Sequence, residues 1–378
     1  MLNLYTDKRD DGQNSMSFAC EFEIDLTYDS NANVNTLDNL DINTNDFSII
    51  VMRFMAPGEF NGSIDSYMIK RLGQEKFNSI KNNKNIWLMI LDIYDETKCI
   101  TQQLPNTANE QVNSLSSRTI LVNSSRDDTN PYGFFKFKYT VPYWIKLLHV
   151  EFDNKVWNQS LFVTGHDLEL KNKLMLCLMN NSRMPRNMFY RLVEDNSNLK
   201  NNSLISFVSQ GIRLDNDVET VITMGSDRYQ NPNWYQSTMF SVVFETTWYN
   251  DFFTEKIFKP ILNEHPIIVL QNKSYIEYLK DLGIDLTNED FLNTNYGITS
   301  EKMSNETSIM VNKLYNKVLT YSSMDKKNLY DKLYNNELVD IRKQNKSKLL
   351  DKDYCVQQMN KYVYTMTETI KKVYNEHK

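Results

Sequence analysis

Apolar runs and amphipathic stretches alternate along this chain, and that alternation restricts the fold more than any other feature. FSIIVMRFM (47–55) reads as a buried strand. The following SIDSYMIKRLGQEKFNSIKN places Ile64, Tyr67, Met68 and Leu72 on one helical face. IWLMILDIY (86–94), a polar helical stretch near 104–116 and RTILVNSS (118–125) continue the series. It starts again with KLMLCLMN (173–180), the helix MPRNMFYRLVED (184–195) and SLISFVS (203–209). MFSVVFE (239–245), the helix TEKIFKPIL (254–262), HPIIVLQ (265–271) and the helix SYIEYLKDLG (274–283) follow, and from 301 onward the pattern is helical and polar. Strands and helices alternating at these lengths predict parallel sheets with crossover helices, an α/β fold.

The restart divides the chain near HDLELKN (166–172). The expected domains are 1–167 and 168–350, both Rossmann-like, followed by a C-terminal helix over 351–378. In that helix Val356, Met359, Tyr362, Val363 and Met366 form a packing face. A length of 378 residues suits two domains of moderate size. The segment 29–46, rich in Asn and Asp, predicts a loop or irregular insertion. Abundant Asn and Lys beside only 10 glycines and 8 prolines fit an AT-rich genome, such as a phage's.

Several function classes lose support. A net charge of −6 leans against a dedicated duplex-DNA-binding module, while leaving room for a local basic groove. Cys20, Cys99, Cys177 and Cys355 lack zinc-ligand or disulfide-framework spacing. The N-terminus has no apolar signal region and no run is long enough to span a membrane, so the expectation is a cytoplasmic protein. There is no Walker loop, and His149, His166, His265 and His377 do not pair at ligand spacing. His166, at the domain boundary, is placed to line a cleft or to sit in a loop. Asp215-Asn216-Asp217 lies in a loop-like context without a preceding apolar strand, so it reads as a solvated turn and no metal site is expected.

The chemistry concentrates at 180–260. In FETTWYNDFFTEKIF (244–258), Glu245 closes a strand and Glu255 and Lys256 open a helix. Ligands of open α/β sheets gather at the carboxyl ends of strands, where helix N-termini attract anions. Lys256 there offers a phosphate a point charge, a carboxylate suits a ribose diol, and Phe252 or Phe253 can stack on a base. The same residues also describe an ordinary helix start with Glu255 favouring the dipole. Upstream, Arg183, Arg186 and Arg191 crowd a strand-to-helix junction around Pro185, where arginine can bind a diphosphate bidentately.

Taken together, MPRNMFYRLVED and FSVVFETTWYNDFFTEKIFKPILNEHPIIVL resemble the donor-binding half of the α1,3-fucosyltransferase-like glycosyltransferases. The shared features are an arginine opening a helix with an Arg-Asn-x-Phe-Tyr run, then Phe-Glu, an aromatic loop and Thr-Glu-Lys. The resemblance covers about residues 173–285. It implies a GT-B fold, two Rossmann-like domains facing a central cleft, with the nucleotide-sugar held by the C-terminal one. It further implies that Arg186 and Lys256, with Arg183 nearby, neutralise the diphosphate and that Glu255 binds the ribose. Glu245 then stands near the donor sugar and Phe252 at the base. Thr246 replaces the family's asparagine and the loop lacks its glycines, which leaves the donor open between GDP- and UDP-sugars.

The implied reaction is an inverting, metal-independent sugar transfer, with the nucleotide-sugar as co-substrate and no cofactor. The general base should be a carboxylate of the N-terminal domain. Glu96, after IWLMILDIYDET, is the candidate, with Glu59, Glu21 and Glu23 as rivals; Glu96 equally suits a helix cap. The acceptor is a glycan or, for a phage enzyme, a hydroxymethylated base of DNA. A catalytically inactive glycan-binding module, using Trp248, Tyr249 and NPNWYQ (231–236), is the other class of reading.

Overall fold

The computed structural model describes residues 2–6, 32–53, 64–92, 115, 118–123, 135–138, 162–180, 182–214, 231–245, 255–272, 276–277, 279–280, 282–287, 289–294, 300–351, 353–355, 357–358, 372 and 375. The chain divides into two units, one comprising 1–142 with 357–378 and the other 143–356.

The first unit holds a six-stranded sheet. Its strands are β1 (Leu2–Thr6), β2 (Ala32–Thr36), β3 (Ser48–Arg53), β4 (Ile86–Asp92), β5 (Thr119–Asn123) and β6 (Phe135–Lys138). They lie in the order β2-β1-β3-β4-β5-β6, every pair parallel. Helices α1 (Ile64–Leu72) and α2 (Gln74–Asn82) supply Met68, Phe77 and Ile80 to a core with Ile50 and Leu88. The single helix expected over this stretch breaks at Gly73, whose φ of 82° is a left-handed conformation that suits glycine. Arg118, just before β5, closes the far end of α2 by donating to the carbonyls of Lys81 (2.7 Å), Ile86 (2.9 Å) and Asn83. A cation there complements the C-terminal end of the helix dipole.

Part of the expected 29–46 loop is strand instead. Ala32–Thr36 pairs in parallel with β1 along its whole length. It forms one edge of that sheet.

The second unit repeats the plan with five strands, β7 (Lys173–Met179), β8 (Ser203–Phe207), β9 (Thr238–Phe244), β10 (Ile267–Asn272) and β11 (Asp290–Thr294). The order is β11-β10-β9-β7-β8, all parallel. Both sheets therefore follow a 2-1-3-4-5 doubly wound order, the first sheet adding a sixth strand. Helices cover such a sheet on both faces, which is why central strands read as unbroken apolar runs. All seven residues of β9 are buried. One face packs Cys177, Phe240, Val242 and Ile268 under Phe189 of α3 (Met184–Glu194) and under α7 (Ser300–Ser322), which contributes Leu314 and Val318. The remaining described helices are α4 (Ser197–Asn201), α5 (Pro232–Ser237), α6 (Glu255–Leu262), α8 (Lys326–Leu333) and α9 (Asn336–Leu350). Asp325 and Asn335 cap α8 and α9 by accepting from the backbone N–H groups of Asn328 and Leu338. Pro260 lies inside α6, which ends two residues later. No described helix is long and apolar enough to cross a membrane.

The boundary falls earlier than the 167/168 expected. Residues 162–167 fall in the second unit, where Phe162 and Val163 are buried and hydrogen bonds tie the segment down. Val163 N–H donates to Asn263 Oδ1 at 2.9 Å, and Val163 C=O accepts from Lys346 Nζ at 2.7 Å. Tyr330 Oη donates to His166 C=O at 2.6 Å.

Candidate functional site

In a doubly wound sheet the ligand crevice opens at the carboxyl edge where the strand order reverses. In the second unit that switch point lies between β7 and β9, neighbours that are not consecutive in the chain. β7 runs out through Asn180 to Arg183 and α3, and β9 through Phe244 and Glu245 toward α6. The N-termini of α3 and α6 thus both belong to this edge, and the positive end of a helix dipole favours an anion.

The structure joins the two sequence motifs at that point. Arg186 Nη2 donates to the carbonyls of Phe244 and Glu245, both at 3.0 Å. Three residues on, and so on the same face of α3, Phe189 packs its ring against Phe244 with centroids 5.3 Å apart. Arg186 is 2 % exposed and Glu245 3 % exposed. The guanidinium expected at a diphosphate is therefore engaged by main chain beneath the edge. Arg183 stands exposed at the N-cap position of α3 without a side-chain capping bond. Lys256 is half-buried in the first turn of α6, behind Glu255. Ser182 and Asn187 bond through their side chains across the start of α3.

The side chain of Glu255 and all of Glu96 and Phe252 lie outside the described residues. So do Glu21, Glu23, Glu59, Trp248, Tyr249 and Asp215–Asp217. Of the aromatic segment 231–236, Tyr235 is buried, and Trp234 is half-buried against the small apolar cluster of Val163, Leu176 and Tyr235. Those two rings serve packing. Among the described residues no three His, Cys, Asp or Glu side chains group to hold a metal ion.

The opposite, amino edge of the same sheet carries a buried polar network that the sequence motifs did not reveal. Lys171, two residues before β7, donates from Nζ to the carbonyls of Tyr235 (2.9 Å) and Thr238 (2.7 Å) and to His166 Nδ1 (2.8 Å). His265, two residues before β10, places Nε2 at 2.9 Å from the Thr238 carbonyl and Nδ1 at 2.9 Å from Ser241 Oγ. Tyr334 donates to the Met239 carbonyl, and Arg342 pairs with Glu289 at 2.6 Å. Burial pulls Lys171 down to about 7. Burial and the Lys171 charge hold His166 down at about 3, and the same two causes hold His265 well below its ordinary value. His166 is thus a framework residue at the edge away from the switch point. The one readable signal was a histidine directly before an apolar strand, in HPIIVL.

A cleft of about 90 Å³ adjoins this network, beside Tyr321, Lys332 and Arg342. Ligand sites usually exceed roughly 300 Å³, so the cleft has room for little more than water.

Comparison with protein-family models and with curated proteins returns no match for this chain.

Proposed function

We propose that this chain is a nucleotide-sugar-dependent glycosyltransferase of the GT-B type, with the donor held at the carboxyl edge of the second unit. One observation carries the reading. The arginine-led helix and the Phe-Glu strand end, fifty-eight residues apart, meet through Arg186 and Phe244 at a topological switch point. Such an edge suits a nucleoside diphosphate for reasons independent of any resemblance. Two helix N-termini and the cations Arg183 and Lys256 serve the phosphates, and carboxylates serve neutral hydroxyls.

In the proposed transfer the acceptor oxygen attacks the anomeric carbon as the bond to the diphosphate breaks. Cations at the edge stabilise the negative charge that develops on the leaving group. A carboxylate takes the acceptor proton, and Glu96 remains our candidate for it. The donor is a GDP- or UDP-sugar, and the acceptor a glycan or a hydroxymethylated base of DNA.

Calorimetric titration of the whole chain with UDP, GDP, CDP and TDP tests the donor half. Binding of one nucleotide, weakened at least about tenfold by Lys256→Ala, is expected from loss of a charge-assisted contact. Equal affinity in the variant removes Lys256 from the site. Binding of no nucleotide by the wild type removes the reading.

A further inference from the structure

Arg186 enters the proposed site as a cation, yet its surroundings give it a different task. Both described bonds of Nη2 go to successive main-chain carbonyls, Phe244 O at the end of β9 and Glu245 O just beyond it. Successive carbonyls of an extended strand point to opposite sides, so a single nitrogen reaches both only where the chain turns out of the sheet. Arg186 sits against that strand end, 2 % exposed. Phe189 grips the same strand end from the next turn of α3.

We propose that Arg186 is a positioning residue: it fixes the direction in which the chain leaves β9, and with it the first turn of α6, without itself touching the bound anion. The proposal rests on the donor-site reading for its functional meaning, and on the two carbonyl bonds for its geometry. Buried carbonyls that lose a charged donor are left to find water or to move, so the exit loosens when Arg186 is replaced. A direct phosphate ligand behaves differently. Its attraction to the anion is screened by salt, so its removal flattens the salt dependence of binding, whereas removal of a positioning residue lowers affinity at every salt concentration alike.

The test uses the full chain with Arg186→Lys and Arg186→Met, read by amide hydrogen exchange and by titration with GDP and UDP at low and high salt. Lysine keeps a nitrogen able to donate to both carbonyls but reaches less far; methionine keeps neither donor nor charge. Exchange at Phe244, Glu245 and the first turn of α6 should rise on the order of tenfold in R186M and less in R186K, with α7 unchanged. Affinity for the bound nucleotide should fall in the same order, with the salt dependence of the wild type. Unchanged exchange at the exit overturns the proposal, and so does a flattened salt dependence in R186M. Should R186M not fold, R186K gives the same two readings. If the wild type binds neither GDP nor UDP, the donor-site reading falls, and the exchange result alone still decides whether Arg186 holds the exit.

Discussion

Lys171 Nζ lies 2.8 Å from His166 Nδ1, and the acceptors around this pair decide where its protons sit. His166 Nε2 faces the carbonyl of Asn263 at 2.8 Å, which can only accept. Nε2 therefore carries the hydrogen and Nδ1 accepts from the lysine. By the same argument His265 donates from Nε2 to Thr238 and accepts at Nδ1 from the Ser241 hydroxyl. Both imidazoles are neutral in the folded chain. Protonating His166 would aim an N–H at the ammonium of Lys171.

Acid should therefore unfold the second unit early. His166 is held at about 3 when folded, against 6.5 in an unfolded chain. Between those values the unfolded state binds more protons, so stability falls as pH drops from 6.5 toward 3. His166 alone accounts for on the order of 4 kcal/mol across that window, and His265 adds to it in the same direction. Urea unfolding near pH 7 and near pH 4.5 should show the loss, and His166→Gln should flatten it. An equally steep loss in that variant would assign the acid sensitivity to other groups.

Lys171 acts at the other end of the scale. Its folded value of about 7 lies below the 10.5 of an exposed lysine, so between them the unfolded chain holds the extra proton. This group makes stability rise with pH from 7 toward 10.5. Lys171→Met removes that rise, and comparing the slopes of unfolding midpoint against pH in the two proteins measures it.

Lys346 and Glu264 form a buried ion pair at 2.9 Å, with Lys346 also donating to the Val163 carbonyl. Breaking one partner of such a pair typically costs about 3–5 kcal/mol, because the other charge stays buried. Lys346→Met should lose that much in urea unfolding. The double variant with Glu264→Gln should recover part of it, and a double variant no better than the single would show that burial of Glu264 is not the cause.

Gly283 has a φ of 80°, and a Cβ there would overlap the hydroxyl oxygen of Tyr354. That hydroxyl donates to the neighbouring Leu282 carbonyl. Gly283→Ala should destabilise by roughly 1–3 kcal/mol, from backbone strain together with the clash. Adding Tyr354→Phe should return the steric share and leave the backbone share, so the thermal midpoint should rise only part of the way.

Arg183 offers a contrast with Arg186 on the same helix. It is exposed and makes no capping bond, so Arg183→Ala should change stability by less than about 0.5 kcal/mol. Under the donor-site reading it should still weaken nucleotide binding several-fold, with a reduced salt dependence. A variant that binds as the wild type does would place Arg183 away from the phosphates.

The strand–helix alternation was readable because a sheet covered on both faces needs unbroken apolar strands, as in MFSVVF, and because helices between them must show one apolar stripe. Strand β2 was not readable: ANVNT lies in a segment rich in Asn and Asp, and composition alone says loop. The strand order that makes β7 and β9 neighbours also has no local signature. The motif pair around Arg186 and Glu245 could be seen in sequence, but not that arginine and main chain bond to each other. Lys171 and His265 escaped notice because lysine and histidine beside a strand ordinarily mark its exit into solvent. Here the carbonyls of Tyr235 and Thr238 supply the partners that water would otherwise provide.

The bonds that hold residues 162–166 inside the second unit bear on how that unit is made. Val163 is tied to Lys346 across 183 positions and His166 to Tyr330 across 164. During synthesis at roughly 5–20 residues per second, the first of these residues leaves the ribosome many seconds before its partner exists. The five strands can pair in that interval, but Glu264 has no cation to meet until α9 emerges. Until then Asn263 holds the segment through its bonds to Val163 and His166, and a chain cut before Lys346 would leave Glu264 buried without its cation.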